Sequence, residues 1–196
     1  MIAMKIPKDI SVPNLSDAGA KVLKGIKPVD NIQGVVFGEA FTVKTSSDDW
    51  GTVVKAISYS RGKVIVVKCE GEECAVWGGL ASLNAKLKGV VAVVIDGYVR
   101  DLEDIRRIRF PVFSRGYTPK AGTPLDRGVM GIPVNCGDTT VKSGDVIIGD
   151  CNGVAVIERD RVEEVLEKAK EIKRKESKIR DRIMRGIDLK DILGLD

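Results

Sequence analysis

Two almost uninterrupted runs of β-branched residues constrain the fold of this chain more than any other feature. The segments KVIVVKC (63–69) and VVAVVID (90–96) have the composition of strands that are buried on one or both faces. Between them, AVWGGLASLNAKLKG (75–89) has the composition of a helix, with Gly89 as its C-terminal stop. Strand and helix therefore alternate in this region, as they do in α/β proteins.

The rest of the first half continues this alternation. Ser16 is the expected N-cap of the first helix. We expect further helices at 14–26, 48–60 and 102–109, and further strands at 35–45 and 111–116. From 117 to 157 the pattern changes to short β runs separated by glycine and proline, which is typical of antiparallel strands joined by tight turns. The two halves together predict a mixed α/β or α+β fold, in a single domain that spans residues 1–196.

A long C-terminal helix is predicted over about 160–185, where apolar residues recur every three or four positions. Glu176 interrupts this apolar stripe, which is unusual for a carboxylate. One interpretation is that the helix projects into solvent at that point. The other is that Glu176 faces a site, which could lie on a neighbouring subunit. The sequence leaves both open.

The chain contains no histidine, so His general bases, Ser-His-Asp triads and His-ligated metals are excluded. Lysine and arginine (32) nearly balance aspartate and glutamate (28), so we do not expect a nucleic-acid partner. The four cysteines lack a C-x-x-C spacing, and we expect free, buried thiols rather than a zinc site. Lysine and glutamate are abundant and glutamine occurs once, a composition typical of thermophiles.

Two further patterns bear on location. No apolar run approaches the roughly 20 residues that a membrane span requires. The first residues, MIAMKIPKDISVP, lack the apolar core of a signal peptide. We therefore expect a cytoplasmic protein that does not enter the membrane.

The densest polar cluster, DGYVRD (96–101), directly follows the apolar strand 90–96. In α/β proteins, ligands bind at the carboxyl ends of strands. Arg100 could hold a carboxylate in bidentate fashion, and Asp101 could ligate a hard divalent cation such as Mg²⁺. The alternative is an Arg–Asp pair that only closes a loop at a strand end.

A second candidate feature is the start of the helix in AVWGGLAS, where Gly78 and Gly79 open the helix at 79–88 and precede Leu80 and Ala81. Small residues at a helix N-terminus leave backbone N–H groups accessible, and the helix dipole favours an anion there. A carboxylate or phosphate could therefore rest on these amides. The alternative is an ordinary helix start, since glycine is also common there.

The stretch WGGLASLNAKLKGVVAVVIDGYVRDLEDIRRIRFPVFSRGYTP (77–119) resembles the central motif of the RraA-like family. That family includes the regulator of ribonuclease E activity A and aldolases acting on 4-hydroxy-4-methyl-2-oxoglutarate and 4-carboxy-4-hydroxy-2-oxoadipate. Gly97, Arg100 and Asp101 form its G-x-x-R-D core. The resemblance continues in SDA (16–18), GEAFTVKT (38–45), SGDVIIGDCNGVAVI (143–157) and the C-terminal helix.

This resemblance implies a swivelling β/β/α-type domain that assembles as a homotrimer or hexamer, with the C-terminal helix packed at a subunit interface. It implies that Asp101 binds Mg²⁺ or Mn²⁺ and that Arg100 holds the carboxylate of a pyruvyl group. The amides at the start of the WGGL helix, from Gly78 to Ala81, would complete the pyruvate site. Glu176 of a neighbouring subunit would approach the metal.

The activity that the resemblance implies is metal-dependent aldol cleavage of a small 2-oxo acid, with oxaloacetate decarboxylation through the same enolate. One departure weakens this expectation. The aldolases carry Asp, and many relatives Glu, at the position of Gly79, where the carboxylate assists proton transfer. A non-catalytic regulatory or binding protein, such as one that controls an RNA-processing nuclease, is the alternative. A third possibility is different chemistry on the same scaffold.

Overall fold

A computed structural model describes residue 7 and residues 9–195 of the chain and shows a mixed α+β architecture. The helices are α1 (Val12–Asp17), α2 (Gly51–Ala56), α3 (Gly79–Lys88), α4 (Leu102–Ile108), α5 (Val162–Met184) and α6 (Leu189–Leu193). The strands are β1 (Lys21–Val22), β2 (Lys27–Pro28), β3 (Val36–Ser46), β4 (Lys63–Glu70), β5 (Ala75–Trp77), β6 (Ala92–Val99), β7 (Val112–Tyr117), β8 (Val129–Met130), β9 (Val134–Cys136), β10 (Thr139–Val141), β11 (Val146–Asp150) and β12 (Gly153–Ile157). Residues 1–6, 8 and 196 of the predicted domain lie outside the described residues. They include most of the first segment, MIAMKIPKDISVP.

The two β-branched runs form the centre of the main sheet. Its strand order is β1-β12-β11-β3-β4-β6-β7-β2, with β5 added beside β6 and β8 beside β3. The neighbours β3, β4, β6 and β7 are parallel, whereas β11 and β12 pair antiparallel at one side. Because β4 and β6 are covered on both faces, each contains an unbroken run of buried apolar residues, Val64–Val67 and Ala92–Ile95.

Each face of the sheet has its own hydrophobic core. On one face, Val93, Ile95 and Val99 pack with the residues of α2, α3 and α4. On the other, Ala92 and Val94 pack with the β9–β10 hairpin. A third cluster joins α1 and α5 to β11 and β12. The carboxyl ends of the parallel strands therefore lie beside the N-terminus of α3, where the candidate site is expected.

Most of the expected strands are confirmed, but the first helix was placed wrongly. Its N-cap is Ser11, not Ser16, and the Ser11 and Asn14 side chains form a capping box. The helix ends at Asp17 because Gly19, with φ 102°, takes the left-handed conformation that stops it. The predicted segment 14–26 therefore becomes one short helix followed by strand β1.

Two other expected helices are shorter than predicted. In the segment 75–89, the first three residues form β5, and the helix itself is Gly79–Lys88, which confirms the helix start expected from Gly78 and Gly79. In the segment 48–60, α2 is followed by a single 3₁₀ turn, Ile57–Tyr59. The helix expected at 102–109 is confirmed as α4.

The long C-terminal helix is confirmed as α5, preceded by a 3₁₀ turn at Arg159–Arg161. Its buried residues are Val165, Leu166 and Ala169, all in its first two turns. Beyond Ile172 the helix has no fully buried side chain among the described residues. Its second half therefore contributes no side chain to the hydrophobic core of the described chain.

The four cysteines are free thiols. Cys69, Cys74 and Cys136 are buried, as expected, and Cys151 is exposed in the turn between β11 and β12. Burial raises the pKa of the Cys69 thiol to about 12. Among the described residues, no group of three or more His, Cys, Asp or Glu side chains is placed to hold a metal ion on its own.

Within residues 7 and 9–195, no helix combines the length and the apolar character that crossing a bilayer requires.

Candidate functional site

Arg100 and Asp101 lie directly after β6, at the carboxyl edge of the sheet. The Arg100 backbone N–H donates to the Trp77 carbonyl at 3.0 Å, which ties this segment to the end of β5. Asp101 has φ 58°, the left-handed conformation, and occupies the N-cap position of α4. A non-glycine residue in this conformation costs on the order of 1 kcal/mol, and aspartate adopts it more readily than most residues.

The Asp101 carboxylate does not cap its own helix. An N-cap aspartate usually accepts a hydrogen bond from the first turn that follows it, but α4 has no such side-chain cap. Instead, Asp101 Oδ2 accepts the backbone N–H of Gly79 at 3.1 Å and lies 3.6 Å from Arg100 Nε. Its carboxylate therefore faces the N-terminus of α3.

Both glycines at the start of α3 lie close to neighbouring side chains. A Cβ on Gly78 would lie 2.5 Å from Asp101 Oδ2 and 3.2 Å from Arg100 Cγ. A Cβ on Gly79 would lie 2.8 Å from Asp104 Cβ. The expected role of these glycines in exposing amides is thus joined by a second one, which is to leave room for two aspartate side chains.

The N-terminal amides of α3 are not equally open to a ligand. The Gly79 N–H is engaged by Asp101. The helix has no side-chain cap, because its N-cap residue is Gly78. The amides of Leu80 and Ala81 therefore remain as the candidate donors to an anion.

A carboxylate stands beside α3 even though residue 79 has no side chain. The three atoms nearest to a Cβ placed on Gly79 all belong to Asp104, with Oδ2 at 3.2 Å. Asp104 also pairs through Oδ1 with Arg107 Nη1 at 3.2 Å. Sequence reasoning missed Asp104, although its place three residues after Asp101 on a helix was a usable signal.

A cavity of about 330 Å³ opens in front of these residues. At one end it is lined by Gly78, Leu80, Arg100 and Asp101. Most of the remaining wall is apolar, and Asn84 adds one neutral amide. The apolar wall includes Trp50, Val54, Val76, Trp77, Ala81 and Ala121.

The two indole N–H groups in this wall are both engaged by the protein. Trp50 Nε1 donates to the Gly122 carbonyl at 3.0 Å, and Trp77 Nε1 donates to Ser82 Oγ at 2.8 Å. The indole rings therefore offer hydrocarbon surface to the cavity and no free hydrogen-bond donor.

The loop after β7, which forms part of the cavity wall, is held by a buried carboxylate. Asp49 accepts backbone N–H groups from Gly51, Leu125, Asp126 and Arg127 at 2.7–3.0 Å. Burial on its own raises the pKa of Asp49, but the four donors outweigh it and hold the pKa below its usual value. Asp49 was not singled out from the sequence, because its partners are far away in the chain.

Asp96, the first residue of the DGYVRD cluster, belongs to a different environment. Its buried carboxylate pairs with Lys68 at 3.1 Å and with Arg115, and it accepts the Gly137 N–H at 3.0 Å. These partners hold its pKa below the usual value despite burial, which acts in the opposite direction. By the alternation along β6, Asp96 points to the face opposite α3, where it clamps neighbouring strands together.

Glu176 does not line the cavity within the single chain. It lies half-exposed in the second half of α5, 3.7 Å from Lys173 Nζ. The structure thus brings Arg100, Asp101 and the start of α3 together, whereas a role for Glu176 requires another subunit.

Comparison with known proteins agrees with the family resemblance seen in the sequence. The family model RraA-like, described as Aldolase/RraA, matches residues 12–156. An uncharacterized protein of Methanocaldococcus jannaschii is 57% identical over 197 residues, covering 99% of this chain and 95% of that protein. A Halalkalibacterium halodurans protein named "Putative 4-hydroxy-4-methyl-2-oxoglutarate aldolase" is 38% identical over 148 residues, covering 74% of this chain and 70% of its own.

Solved structures show the same fold. An uncharacterized protein from Pseudomonas syringae superposes with a TM-score of 0.81 at 26% identity, over 93% of this chain and 88% of that one. An RNA-processing inhibitor RraA from a Thermus species superposes with a TM-score of 0.67 at 24% identity, over 79% of this chain and 93% of that one. The expected mixed fold and the match over residues 12–156 agree, and the chain belongs to the RraA-like family.

Proposed function

We propose that this protein is a divalent-metal-dependent lyase that cleaves or decarboxylates small 2-oxo acids containing a pyruvyl group. The main observation behind the proposal is that the Arg100 guanidinium, the Asp101 carboxylate and the N-terminus of α3 lie together at one cavity. The aldolase name of the relative from Halalkalibacterium supports the same class of reaction.

The carboxylate of a 2-oxo acid has suitable partners here. The Arg100 side chain is 46% exposed, and its contact with Asp101 is a loose 3.6 Å, so its guanidinium is free to bind a carboxylate through two parallel hydrogen bonds. The amides of Leu80 and Ala81 add donors at the positive end of the α3 dipole. Binding at this point leaves the rest of the substrate directed along the cavity.

The donor set fits Mg²⁺ or Mn²⁺. Magnesium is usually held by one or two protein carboxylates, with water and substrate oxygens completing its shell. Asp101 offers one carboxylate, of which Oδ2 is oriented by the Gly79 N–H. Glu176 of a neighbouring subunit is the second candidate. When bound, the ion would act as a Lewis acid toward the 2-oxo group.

The chain's own residues would bind and orient the substrate. Arg100 fixes the substrate carboxylate, and Gly79 N–H holds the Asp101 carboxylate toward the same space. Trp50, Val54 and Ala81 limit the access of water to the bond that breaks. Asp104 is our candidate to receive the hydroxyl proton through a water molecule, at Oδ2, since its carboxylate occupies the space beside residue 79, next to the cavity lining rather than in it.

The test is an assay of oxaloacetate decarboxylation and of 4-hydroxy-4-methyl-2-oxoglutarate cleavage, with Mg²⁺ or Mn²⁺ and after chelation. We expect turnover that depends on the metal, and a loss of about 10²-fold or more in Asp101→Asn. Arg100→Lys should raise KM more than it lowers kcat, because lysine cannot bind the carboxylate in bidentate fashion. Glu158→Gln, a change at an exposed ion pair outside the cavity, is the control.

Absence of metal-dependent turnover on both substrates would overturn the proposal. If such a preparation instead captured a specific protein partner, the regulatory alternative would take its place. We further propose a homotrimer or hexamer in the cytoplasm. A second subunit is needed for the role proposed for Glu176, because Glu176 does not line the cavity within one chain.

A further inference from the structure

We propose that Ser82 is a positioning residue that orients the Asp101 carboxylate toward a divalent cation. This inference rests on the proposed function and deepens it, because Ser82 acts on the cation site without lining the cavity. Ser82 is the fourth residue of α3 and is completely buried. Its hydroxyl belongs to a series of hydrogen bonds that ends at Asp101.

The series begins at the indole of Trp77. Trp77 Nε1 donates to Ser82 Oγ at 2.8 Å, and the Ser82 hydroxyl donates to the Gly78 carbonyl at 3.0 Å. An indole N–H can only donate and a carbonyl oxygen can only accept. The chemistry of these groups therefore fixes the direction of both hydrogen bonds, and the Ser82 hydrogen must point at Gly78.

The next member of the series is one peptide group. The Gly78 carbonyl and the Gly79 N–H belong to the same planar peptide unit. The Gly79 N–H donates to Asp101 Oδ2 at 3.1 Å, so a hydroxyl that holds the oxygen of this unit also aims its N–H at Asp101. Hydrogen bonds linked in series polarise one another, which strengthens the last one.

This peptide group depends on its hydrogen bonds for a fixed orientation, because glycine stands on both sides of it. Glycine has no Cβ and gives the backbone wide conformational freedom. The Gly78 carbonyl accepts the Ser82 backbone N–H at 3.0 Å, as in any helix, and the hydroxyl adds a second donor to the same oxygen. All of these groups lie in one subunit, so their arrangement does not depend on a neighbouring subunit.

The orientation of Asp101 matters because its carboxylate has freedom of its own. Its side chain is 39% exposed, and Arg100 Nε, 3.6 Å from Oδ2, competes for the same oxygen. Partners that orient a metal-binding side chain typically change metal affinity by about 10–100-fold when they are removed. Loss of the Ser82 hydroxyl should therefore weaken cation binding even though Ser82 itself does not touch the cation.

The test is binding of Mn²⁺ to the full-length protein without substrate, followed by the electron paramagnetic resonance signal of the free ion. We expect Ser82→Ala to weaken Mn²⁺ binding about tenfold and Asp101→Asn to abolish it. Ser82→Thr keeps a hydroxyl that can reach the carbonyl four residues earlier, and it should restore the affinity. Unchanged affinity in Ser82→Ala, or equal weakening in Ser82→Thr, would overturn the proposal.

Ser60 provides a matched control for the loss of a buried hydroxyl. Ser60 is also completely buried, and its hydroxyl donates to the Ala56 carbonyl, four residues earlier, at 2.8 Å. It does not line the cavity. Ser60→Ala should lower the urea midpoint and leave Mn²⁺ affinity unchanged. If it weakened Mn²⁺ binding as much as Ser82→Ala does, the effect would be general destabilisation, and the proposal would be wrong.

Failure of this inference is distinguishable from failure of the proposed function. Metal-dependent turnover by the parent, together with equal Mn²⁺ affinity of the parent and Ser82→Ala, would overturn the role of Ser82 alone. Mn²⁺ binding that requires Asp101 and Ser82, without turnover of oxaloacetate or 4-hydroxy-4-methyl-2-oxoglutarate, would overturn the proposed function and support the role of Ser82. Absence of Mn²⁺ binding to the parent would overturn both.

Discussion

The Asp104 side chain occupies the space that a side chain on residue 79 would need. Glycine at position 79, where related aldolases are expected to have an acid, leaves that space free for Asp104. A carboxylate is therefore present near the N-terminus of α3, but it is carried by the following helix, α4.

This contact predicts that Gly79→Asp is harmful on its own. Its Cβ would lie 2.8 Å from Asp104 Cβ, and such overpacking costs about 1–3 kcal/mol of unfolding free energy. Asp104→Gly alone should slow cleavage, whereas the double variant, in which residue 104 no longer carries the clashing Cβ, should recover turnover and the stability lost to overpacking. Urea unfolding and the cleavage assay on all four proteins measure the coupling. Strictly additive effects would contradict it.

At the scale of elements, local pattern was enough for the central strands and for α4, whereas the ends of other elements depend on distant residues. The run 63–69 reads as a strand because its valines and isoleucines need two covered faces. Local pattern does not reveal the short strand β5, because the pairing that forms it, with Tyr98 and Val99 of β6, is tertiary. The Ser11 cap of α1 is different, because its capping box with Asn14 is a local pattern that lies upstream of the expected start.

The candidate site also contains residues that local pattern reveals and residues that it does not. Arg100 and Asp101 were identified because they follow a strand directly, and Gly78 because it begins a helix beside them. The wall residues Trp50 and Ala121 come from other segments, joined by the Trp50 hydrogen bond to Gly122. Composition and spacing carry no information about that contact, so the apolar character of the cavity was not foreseen.

The loop after β7 is fastened to the start of α2 by Asp49, and this predicts a pH dependence. The folded-state pKa of Asp49 lies below its unfolded value, so its stabilising contribution is present above about pH 4 and is lost as the pH falls below that value. Asp49→Asn should therefore be less stable than the parent at pH 7, with the difference shrinking toward pH 3. Urea unfolding at both pH values measures this.

Asp17→Asn, at an exposed position, is the control for that comparison and should change stability little at either pH. A stability gap between Asp49→Asn and the parent that stays constant from pH 7 to pH 3 would be inconsistent with the role given to Asp49.

At the scale of the whole molecule, the second half of α5 buries no side chain within the described chain. Ile183 and Met184 are 43% and 82% exposed, which leaves apolar surface without cover in the described chain. We predict that removing residues 175–196 keeps the body folded, because the buried residues of α5 end at Ala169. The same deletion should reduce the assembled mass from about three or six times 21.2 kDa toward that of one chain.

Light scattering and thermal unfolding measure the two expected effects of this deletion. Glu176→Gln is the matched variant, which should retain the assembled mass and lose activity. An unchanged number of subunits after the deletion would show that this part of α5 does not hold subunits together.

Cys151 is exposed and the other three cysteines are buried, so the unmodified protein can be labelled selectively at Cys151. A maleimide dye would react in the turn between β11 and β12, while burial protects the other three cysteines. No cysteine has to be replaced first. In an assembled ring, each subunit would carry one dye at an equivalent position, so energy transfer between mixed donor and acceptor subunits would report how rapidly subunits exchange.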